Sequence, residues 1–244
     1  MVQTLVPPRP AAGEHSSSRA SVRINRKAVN RLRAGHPWVF SSDILDRGVA
    51  QPGDAVTVVA PDGSALGTAH YSSTSQICLR MLSKRVEPID RAFLMARLST
   101  AQVYRERVVR DSDAFRLIHG EADLLPGLVV DRYGSYFTLQ TLDQGMDRLK
   151  EDVVSCLVER FAPQGIAERN DVAVRKRESL SQSAGVIYGE LPDSVPIRMN
   201  GFVLRADLLG GQKTGVFLDQ RENYLAAARY AHGRALDCFT CTGG

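Results

Sequence analysis

The segment from Gly210 to Arg221 combines residue types that suit a charged ligand. Two glycines precede Lys213, and Asp219 lies where a helix is predicted to begin. Glycine lets the backbone approach a bound group closely, and a helix N-terminus carries a partial positive charge. Polar groups at such a loop-to-helix junction can meet a charged ligand held by the next strand of the chain.

That next strand is predicted at the end of the sequence. The apolar run Ala235–Phe239 carries Asp237 and leads into a glycine turn at residues 242–244. Nucleotide-type cofactors bind beyond the carboxyl ends of strands in an open parallel sheet, where such a turn lets the backbone come close. A lone Gly-Gly turn is usually structural. Its position soon after the Lys213 segment favours a cofactor site of which only the first strand is present.

A histidine and two carboxylates lie close together in the middle of the chain. His119, Glu121 and Asp123 precede a predicted tight turn at residues 125–128. A carboxylate–imidazole pair can perform acid–base catalysis. Acidic residues near turns more often accept hydrogen bonds from their own backbone, so a structural role is the alternative.

An aromatic and basic cluster lies near the start of the chain. The only tryptophan, Trp38, stands beside His36, with Arg31 and Arg33 just before it. A flat ring beside arginines can stack on a base while the cations hold phosphates. The alternative, favoured for Trp38, is that the ring fills the core of a small barrel while the arginines face RNA.

The cysteines are scattered, at positions 78, 156, 238 and 241, and follow no secretory segment. This predicts reduced thiols and a cytoplasmic protein rather than a disulfide framework. Cys238 and Cys241 form a C-x-x-C that could bind zinc, but no second Cys or His pair lies at ligand spacing. We therefore predict no metal site and interpret the pair as small residues at the end of a strand.

Composition and charge indicate a globular protein with a basic front end. Apolar residues make up 43% of the 244 residues, and no long uncharged apolar run predicts a membrane span. Residues 1–88 contain 11 Lys and Arg against 6 Asp and Glu, whereas the remainder contains 20 against 21. A basic face suits a phosphate-rich partner, although a merely solvated face has the same composition. Residues 1–20 are predicted to be a disordered tail.

Residues 21–86 predict a small, partly closed β-barrel with one short helix. Ala28, Val29 and Leu32 fall at helical spacing, and Gly35 suits the end of that helix. A long amphipathic helix at residues 89–108 follows the barrel, with Pro88 at its start. The predicted strands of the barrel are residues 21–24, 55–59, 65–71 and 77–82.

Residues 115–206 predict a second, mixed α+β unit, and a third unit begins near Thr214. Residues 128–130 and 136–139 flank a turn in a pattern typical of a β-hairpin. One helical stripe runs from Met146 to Phe161. Further strands are predicted at residues 166–168, 186–188 and 196–205, followed by a helix at about 220–231.

Three separated motifs resemble one known family. They are G-H-P-W-V-F at 35–40, H-G-E-A-D-x-L-P-G-L-V-V-D-R-Y-G at 119–134, and K-T-G-V-F-L-D-Q-R-E-N at 213–223 followed by L-D-C-F-T-C-T-G-G at 236–244. In this order they are similar to bacterial class I S-adenosylmethionine-dependent 23S rRNA methyltransferases. That family includes the cytosine-C5 enzymes with an N-terminal PUA domain. The resemblance covers residues 21–244.

The resemblance implies a fold, a cofactor and a partner. The fold class is α+β followed by the start of α/β: a PUA-type RNA-binding barrel at 21–86, a central α+β domain at 89–195, and the incomplete start of a Rossmann-like methyltransferase domain at 196–244. The cofactor is S-adenosylmethionine and the partner is 23S ribosomal RNA, without a membrane. The oligomeric state stays open, a homodimer being one option.

The resemblance also implies site residues. Those carried over as cofactor-binding are Lys213, Phe217, Asp219, Gln220, Arg221, Asp237, Phe239, Thr242, Gly243 and Gly244. Those expected to bind RNA are Arg33, His36, Pro37 and Trp38, to which the basic cluster adds Arg31. The residues that match the central signature, without an assigned role, are His119, Glu121, Asp123, Asp131 and Arg132.

The catalytic group is expected beyond residue 244. Cytosine C5 is a poor nucleophile, so its methylation requires attack at C6 by a thiolate. Cys238 and Cys241 fall in the predicted cofactor strand and turn and are not interpreted as that nucleophile. One hypothesis is that this chain is the inactive N-terminal part of a cytosine-C5 methyltransferase. The alternative is that it is a non-catalytic RNA-binding protein. A nicotinamide enzyme is disfavoured because residues 242–244 lack the G-x-G-x-x-G spacing.

Overall fold

In the computed structural model, which describes residues 20–238, the first unit is one curled sheet of six strands. The strand order is β2-β6-β5-β4-β1-β3, with β1 and β4 parallel and the other pairs antiparallel. Its strands are β1 Ser21–Ile24, β2 Trp38–Phe40, β3 Ile44–Asp46, β4 Ala55–Val59, β5 Ala65–Tyr71 and β6 Ile77–Ser83. The strands expected at 21–24, 55–59, 65–71 and 77–82 are confirmed, whereas β2 and β3 were not predicted.

One helix closes an end of this sheet. Helix α1, Arg26–Arg33, begins after Asn25, whose side chain accepts a hydrogen bond from the Ala28 N–H at 2.9 Å. Ala28 and Val29 are buried in the core of the sheet. Gly35 follows the helix with φ of +95°, the backbone conformation that its sequence position predicted.

Helix α2, Arg91–Val108, connects the first unit to the second. Asp90 caps it by accepting the Phe93 N–H at 2.9 Å, so the helix begins three residues after Pro88 rather than directly after it. Leu94 and Leu98 on its buried face enter the core of the second unit.

The second unit is a five-stranded sheet in the order β11-β10-β9-β8-β7. β8 and β9 form the predicted hairpin, in which Tyr133 pairs with Tyr136, and β9 and β10 are parallel. Helices α2 and α4 pack against this sheet and share one hydrophobic core with it. The elements are β7 Ala114–His119, β8 Leu128–Tyr133, β9 Tyr136–Thr141, α3 Gln144–Arg148, α4 Lys150–Phe161, β10 Gly165–Arg169 and β11 Ala184–Gly189.

The single helix expected from Met146 to Phe161 is two helices, α3 and α4. Asp143 caps α3 by accepting the Met146 N–H at 2.7 Å, and the chain changes direction at Leu149. The break has a packing reason, because α3 contacts strand β5 of the first sheet whereas α4 packs on α2.

The strand expected at residues 196–205 is a hairpin of β12, Val195–Met199, and β13, Phe202–Ala206. Asn200 and Gly201 form its turn with φ of +53° and +83°. Asn-Gly is the preferred sequence of such tight hairpin turns, so the signal was present in the sequence and was missed. The hairpin packs through Ile197 and Met199 against Tyr133 of the second unit.

The chain beyond the hairpin differs from the sequence prediction. A 3-10 turn at Leu218–Gln220 leads into α5, Arg221–Ala228, which is shorter than expected and buries none of its side chains. Residues 235–238 are irregular rather than a strand. Phe239, the glycine turn and residues 1–19 of the predicted tail lie outside the described residues.

A buried polar network joins the two sheets. Asp143 faces the His70 ring at 3.3 Å, and Arg80 lies between Asp143 and Glu178, 3.0 Å from the latter. The Ser72 hydroxyl donates to Glu178 at 2.6 Å. The first sheet is therefore held on the second by ionic and hydrogen-bonded contacts that exclude water. Within residues 20–238, no helix has the length and apolarity needed to cross a bilayer.

Candidate cofactor and RNA sites

Asp131 in strand β8 is completely buried and organises the centre of the candidate site. Its carboxylate receives two hydrogen bonds from the Arg116 guanidinium, at 2.8 and 3.0 Å. This bidentate contact raises the pKa of Arg116 and keeps both charges paired. The second function of Asp131 is to accept the Thr214 hydroxyl at 2.6 Å.

Thr214 thereby attaches the Lys213 segment to the second sheet. Its hydroxyl also lies 2.9 Å from the hydroxyl of Tyr133, whose pKa is raised by burial and by the Asp131 charge. Gly215 follows with φ of +148°, and a Cβ there would lie 3.2 Å from the Tyr133 hydroxyl and 3.0 Å from Leu208. Glycine is needed at this position for the segment to approach the tyrosine.

Arg169, at the end of β10, holds the other end of the same segment. Its guanidinium donates to the carbonyls of Leu208 and Gly211 at 3.1 to 3.2 Å while pairing with Asp171. Asp207 accepts the N–H groups of Leu209 and Gly210 and closes a turn. The loop before Lys213 is therefore fixed by hydrogen bonds, although it contains two consecutive glycines.

Lys213 adopts a left-handed backbone with φ of +54°, which costs a non-glycine residue about 1 kcal/mol. Its ammonium donates to both oxygens of Asp219 at 2.9 Å and lies 4.5 Å from the centre of the Phe217 ring. The hydrogen bond from Lys213 lowers the pKa of Asp219. Three of the residues expected to bind the cofactor thus form one cluster.

Lys213 and Asp219 of this cluster line a cavity of about 500 Å3 together with the second unit. The Lys213 segment forms one wall through Lys213, Asp219 and Arg221. The opposite wall is formed by side chains of α2 and β7, namely Tyr104, Arg105, Val108, Phe115, Arg116 and His119. The cavity brings together two of the three sequence motifs.

The carboxylates of the central signature are structural. Asp123 receives the Arg105 guanidinium at 3.0 and 2.6 Å and the His119 backbone N–H at 2.6 Å. Glu121 accepts a hydrogen bond from the Trp38 indole of the first unit. Arg132 donates to the Gly134 carbonyl at 2.9 Å. These contacts favour the structural interpretation, since neither acid touches the imidazole of His119.

His119 is the exception. Its side chain is exposed at the cavity, and its imidazole makes no hydrogen bond to any residue between 20 and 238. An imidazole without a partner can donate to or accept from a ligand.

Two of the residues expected to face RNA are turned inward. Arg31 forms an ion pair with Asp43, and its guanidinium lies 5.1 Å from the centre of the Phe40 ring. Burial would raise the pKa of Asp43, but hydrogen bonds from Arg31 and Asn25 outweigh it and lower the pKa. The indole N–H of Trp38 donates to Glu121 at 2.7 Å, so this ring joins the two units.

Arg33, His36 and Pro37 instead line a groove of about 590 Å3. The groove lies between the first sheet and helix α2, and Arg97 and Leu124 contribute its other side. Its floor is apolar, and its rim is basic. The remaining side chains that line it include Leu32, Leu66, Met81, Leu82, Lys84 and Arg85.

The rim of this groove is mainly basic. Arg33, Lys84 and Arg85 are exposed, and the acid Glu87 lies among them. The arginines and the lysine that line the cavity all form ion pairs with carboxylates. Lys84 and Arg85 were missed in the sequence because they lie 44 and 45 residues after the end of the first motif, beyond any local pattern.

The described cysteines do not line either site. Cys78 and Cys156 are buried, and burial raises the pKa of Cys78 to about 11 and that of Cys156 above its usual value. Cys238 is exposed, and Cys241 lies outside the described residues. No group of three or more potential metal ligands occurs within residues 20–238. Asp237, expected in the cofactor strand, is exposed in an irregular segment.

Residues 22–84 match the family model of the PUA-like domain. Relatives named "Ribosomal RNA large subunit methyltransferase I" include those of Vibrio vulnificus and Klebsiella pneumoniae, each 43% identical over 215 residues. Each alignment covers 86% of this chain and 54% of the relative. The relative from Vibrio campbellii is 41% identical and aligns with 91% of this chain and 57% of its own length.

Two solved structures share the fold. One is described as "a putative methyltransferase complexed with SAH", with a TM-score of 0.71, and the other as "a putative sam-dependent methyltransferase from Streptococcus mutans", with a TM-score of 0.70. Each is 20% identical and aligns with 84% of this chain and 52% of that chain.

The sheets and these matches define a class of protein, in which a PUA-like domain precedes an α+β fold shared with the two solved structures. Over the aligned part, the chain is similar to the proteins named ribosomal RNA large subunit methyltransferase I. It spans about half the length of the curated relatives it matches.

Proposed function

We propose that this chain supplies RNA recognition and one wall of the cofactor site for methyl transfer from S-adenosylmethionine to a cytosine C5 of 23S rRNA. The main support for the proposal is the hydrogen bond from Thr214 to Asp131, which attaches the Lys213 segment to the second sheet. The relationship to the large-subunit methyltransferases supports it. We also propose the domain division at 21–86, 89–195 and 196–244.

The residues of the cavity suit the cofactor chemically. The methionine end of S-adenosylmethionine carries one ammonium and one carboxylate. Lys213 and Asp219 offer the complementary pair of charges side by side, at 44% and 61% exposure of their side chains. We propose that they exchange their mutual ion pair for contacts with that end of the cofactor, which supplies the methyl group. Phe217, Gln220 and Arg221 adjoin them along the same segment.

The groove supports the RNA partner. Single strands are held by a basic path for the phosphates beside apolar or aromatic surface for the bases. The groove provides both, through Arg33, Lys84 and Arg85 on its rim and an apolar floor. The same observation favours the alternative function, an RNA-binding protein without catalysis.

Methyl transfer is tested with labelled S-adenosylmethionine and unmodified 23S rRNA. We expect the 244-residue chain to bind the rRNA and to transfer no methyl group, because no described cysteine lies in the cavity and burial raises the pKa of the Cys78 and Cys156 thiols, which disfavours the nucleophilic thiolate. Methylated product would refute the inactivity of this chain. Failure to bind rRNA would refute its role in recognition.

The product is tested in cells. We expect 23S rRNA from cells that lack the gene encoding this chain to have lost one 5-methylcytidine, measured by nucleoside mass spectrometry. Loss of another modified nucleoside would contradict cytosine C5 as the target atom. Unchanged rRNA would favour the non-catalytic RNA-binding function.

A further inference from the structure

The cavity and the groove differ in their charge, and this difference indicates what each can bind. The lysine and arginine side chains that line the cavity all pair with carboxylates, so the cavity offers a phosphate no unpaired guanidinium or ammonium. The His119 imidazole has no hydrogen-bond partner within residues 20–238, and the Tyr104 ring is 56% exposed. Val108 and Phe115 add apolar surface between them.

These properties fit a neutral, planar group with polar edges. A ring can stack on Tyr104, and the imidazole can bond to an edge nitrogen, oxygen or amino group. The guanidinium of Arg105 lies 5.0 Å from the centre of the Tyr104 ring on its own helix and is held by Asp123. This contact favours one orientation of the Tyr104 ring.

Helix α2 connects the cavity with the groove. Arg97 lines the groove, and Tyr104, seven residues later on the helix, lines the cavity. Seven residues correspond to about 10.5 Å along a helix and to nearly the same face. A second connection runs from His119 in the cavity to Leu124 in the groove, and the five residue steps between them span at most about 18 Å.

We propose that the cavity receives one unstacked nucleobase of an RNA strand whose phosphates lie along the groove. Tyr104 stacks on the base, and His119 bonds to its edge. The proposal rests on the function proposed above, and it gives the base and the Lys213 segment a common cavity.

The test uses the full chain and a single-stranded RNA hexanucleotide that carries one 4-thiouridine. Affinity is measured by fluorescence anisotropy at several salt concentrations, and photo-crosslinked residues are identified by mass spectrometry. We expect crosslinks at the cavity. We expect Tyr104→Leu and His119→Asn each to weaken binding about fivefold or more, with an unchanged salt slope.

Controls separate stacking from loss of structure. Tyr104→Phe keeps the ring and is expected to bind as the unchanged protein does. Tyr230→Leu removes a tyrosine that is even more exposed, at 79%, and lies outside both sites, and it is expected to have no effect. Equal unfolding midpoints show that Tyr104→Leu still folds.

The outcomes distinguish this proposal from the proposed function. If Arg33→Gln weakens binding but Tyr104→Leu and His119→Asn do not, the base site is refuted while RNA recognition stands. If the unchanged chain shows no salt-dependent binding of the RNA, the proposed function itself fails. Crosslinks confined to the groove would also overturn the base site.

Discussion

Thr214 donates its hydroxyl proton to Asp131 across 83 residues of sequence, at 2.6 Å and without access to water. The contact joins two motifs, each of which looked like a separate site. Asp131 holds the segment that carries Lys213, so the central signature positions the candidate cofactor wall rather than performing chemistry.

We expect Thr214→Val to lower the free energy of unfolding by about 1 to 3 kcal/mol, because it leaves a buried carboxylate without one of its donors. The measurement is urea denaturation followed by circular dichroism. Thr100→Val, at an exposed threonine bonded only within its own helix, is the matched control and should change little. Equal effects at both positions would contradict the role of Asp131.

The junction between the sheets predicts loss of stability in acid. Burial would raise the pKa of Asp143, but the His70 and Arg80 charges and hydrogen bonds outweigh it and lower the pKa. A carboxyl with a lowered folded pKa stabilises the protein above its unfolded pKa of about 3.9 and loses this contribution as the pH falls below it.

We therefore expect the unfolding midpoint to fall as the pH drops from about 5 toward 3, and Asp143→Asn to lose part of that dependence. Asp46→Asn, at an exposed carboxyl of the first sheet, is the control and should leave the dependence unchanged. A pH dependence that Asp143→Asn leaves intact would show that other carboxyls cause it.

Two neighbouring arginines should behave differently toward RNA. Arg33→Gln should lower the slope of log affinity against log salt by about 0.7, the value for one phosphate contact with a single strand. Arg31→Gln should destabilise the fold, because Arg31 pairs with the buried Asp43, and leave the slope unchanged. If both variants lowered the salt slope equally, Arg31 would contact an RNA phosphate as Arg33 does.

Trp38→Phe tests whether the indole joins the two units. Losing the hydrogen bond to the Glu121 carboxylate should cost about 1.5 to 3 kcal/mol of unfolding free energy. RNA affinity, compared at a temperature where both proteins are folded, should stay the same. A fall in affinity without a fall in stability would mean that Trp38 stacks on a base.

Local patterns in the sequence predicted the strands with regular alternation and the helices with a clear apolar stripe. The predictions failed where partners distant in sequence decide the outcome. No local signal shows that Glu121 would meet Trp38, that Arg169 would hold the loop before Lys213, or that Lys84 would share a groove with Arg33. The missed Asn200-Gly201 turn is different, because its local signal was present.

Gly145 lies where helix α3 meets the first sheet, and there is no room there for a side chain. A Cβ there would lie 2.2 Å from the His70 ring, and one at Gly127 would lie 2.3 Å from the Asp143 carboxylate. Helix α3 and the first sheet therefore fit in one arrangement. If the groove and the cavity hold the same RNA strand, their separation is constant. The protein would then select the nucleotide that lies at a fixed distance along the strand from the phosphates bound in the groove.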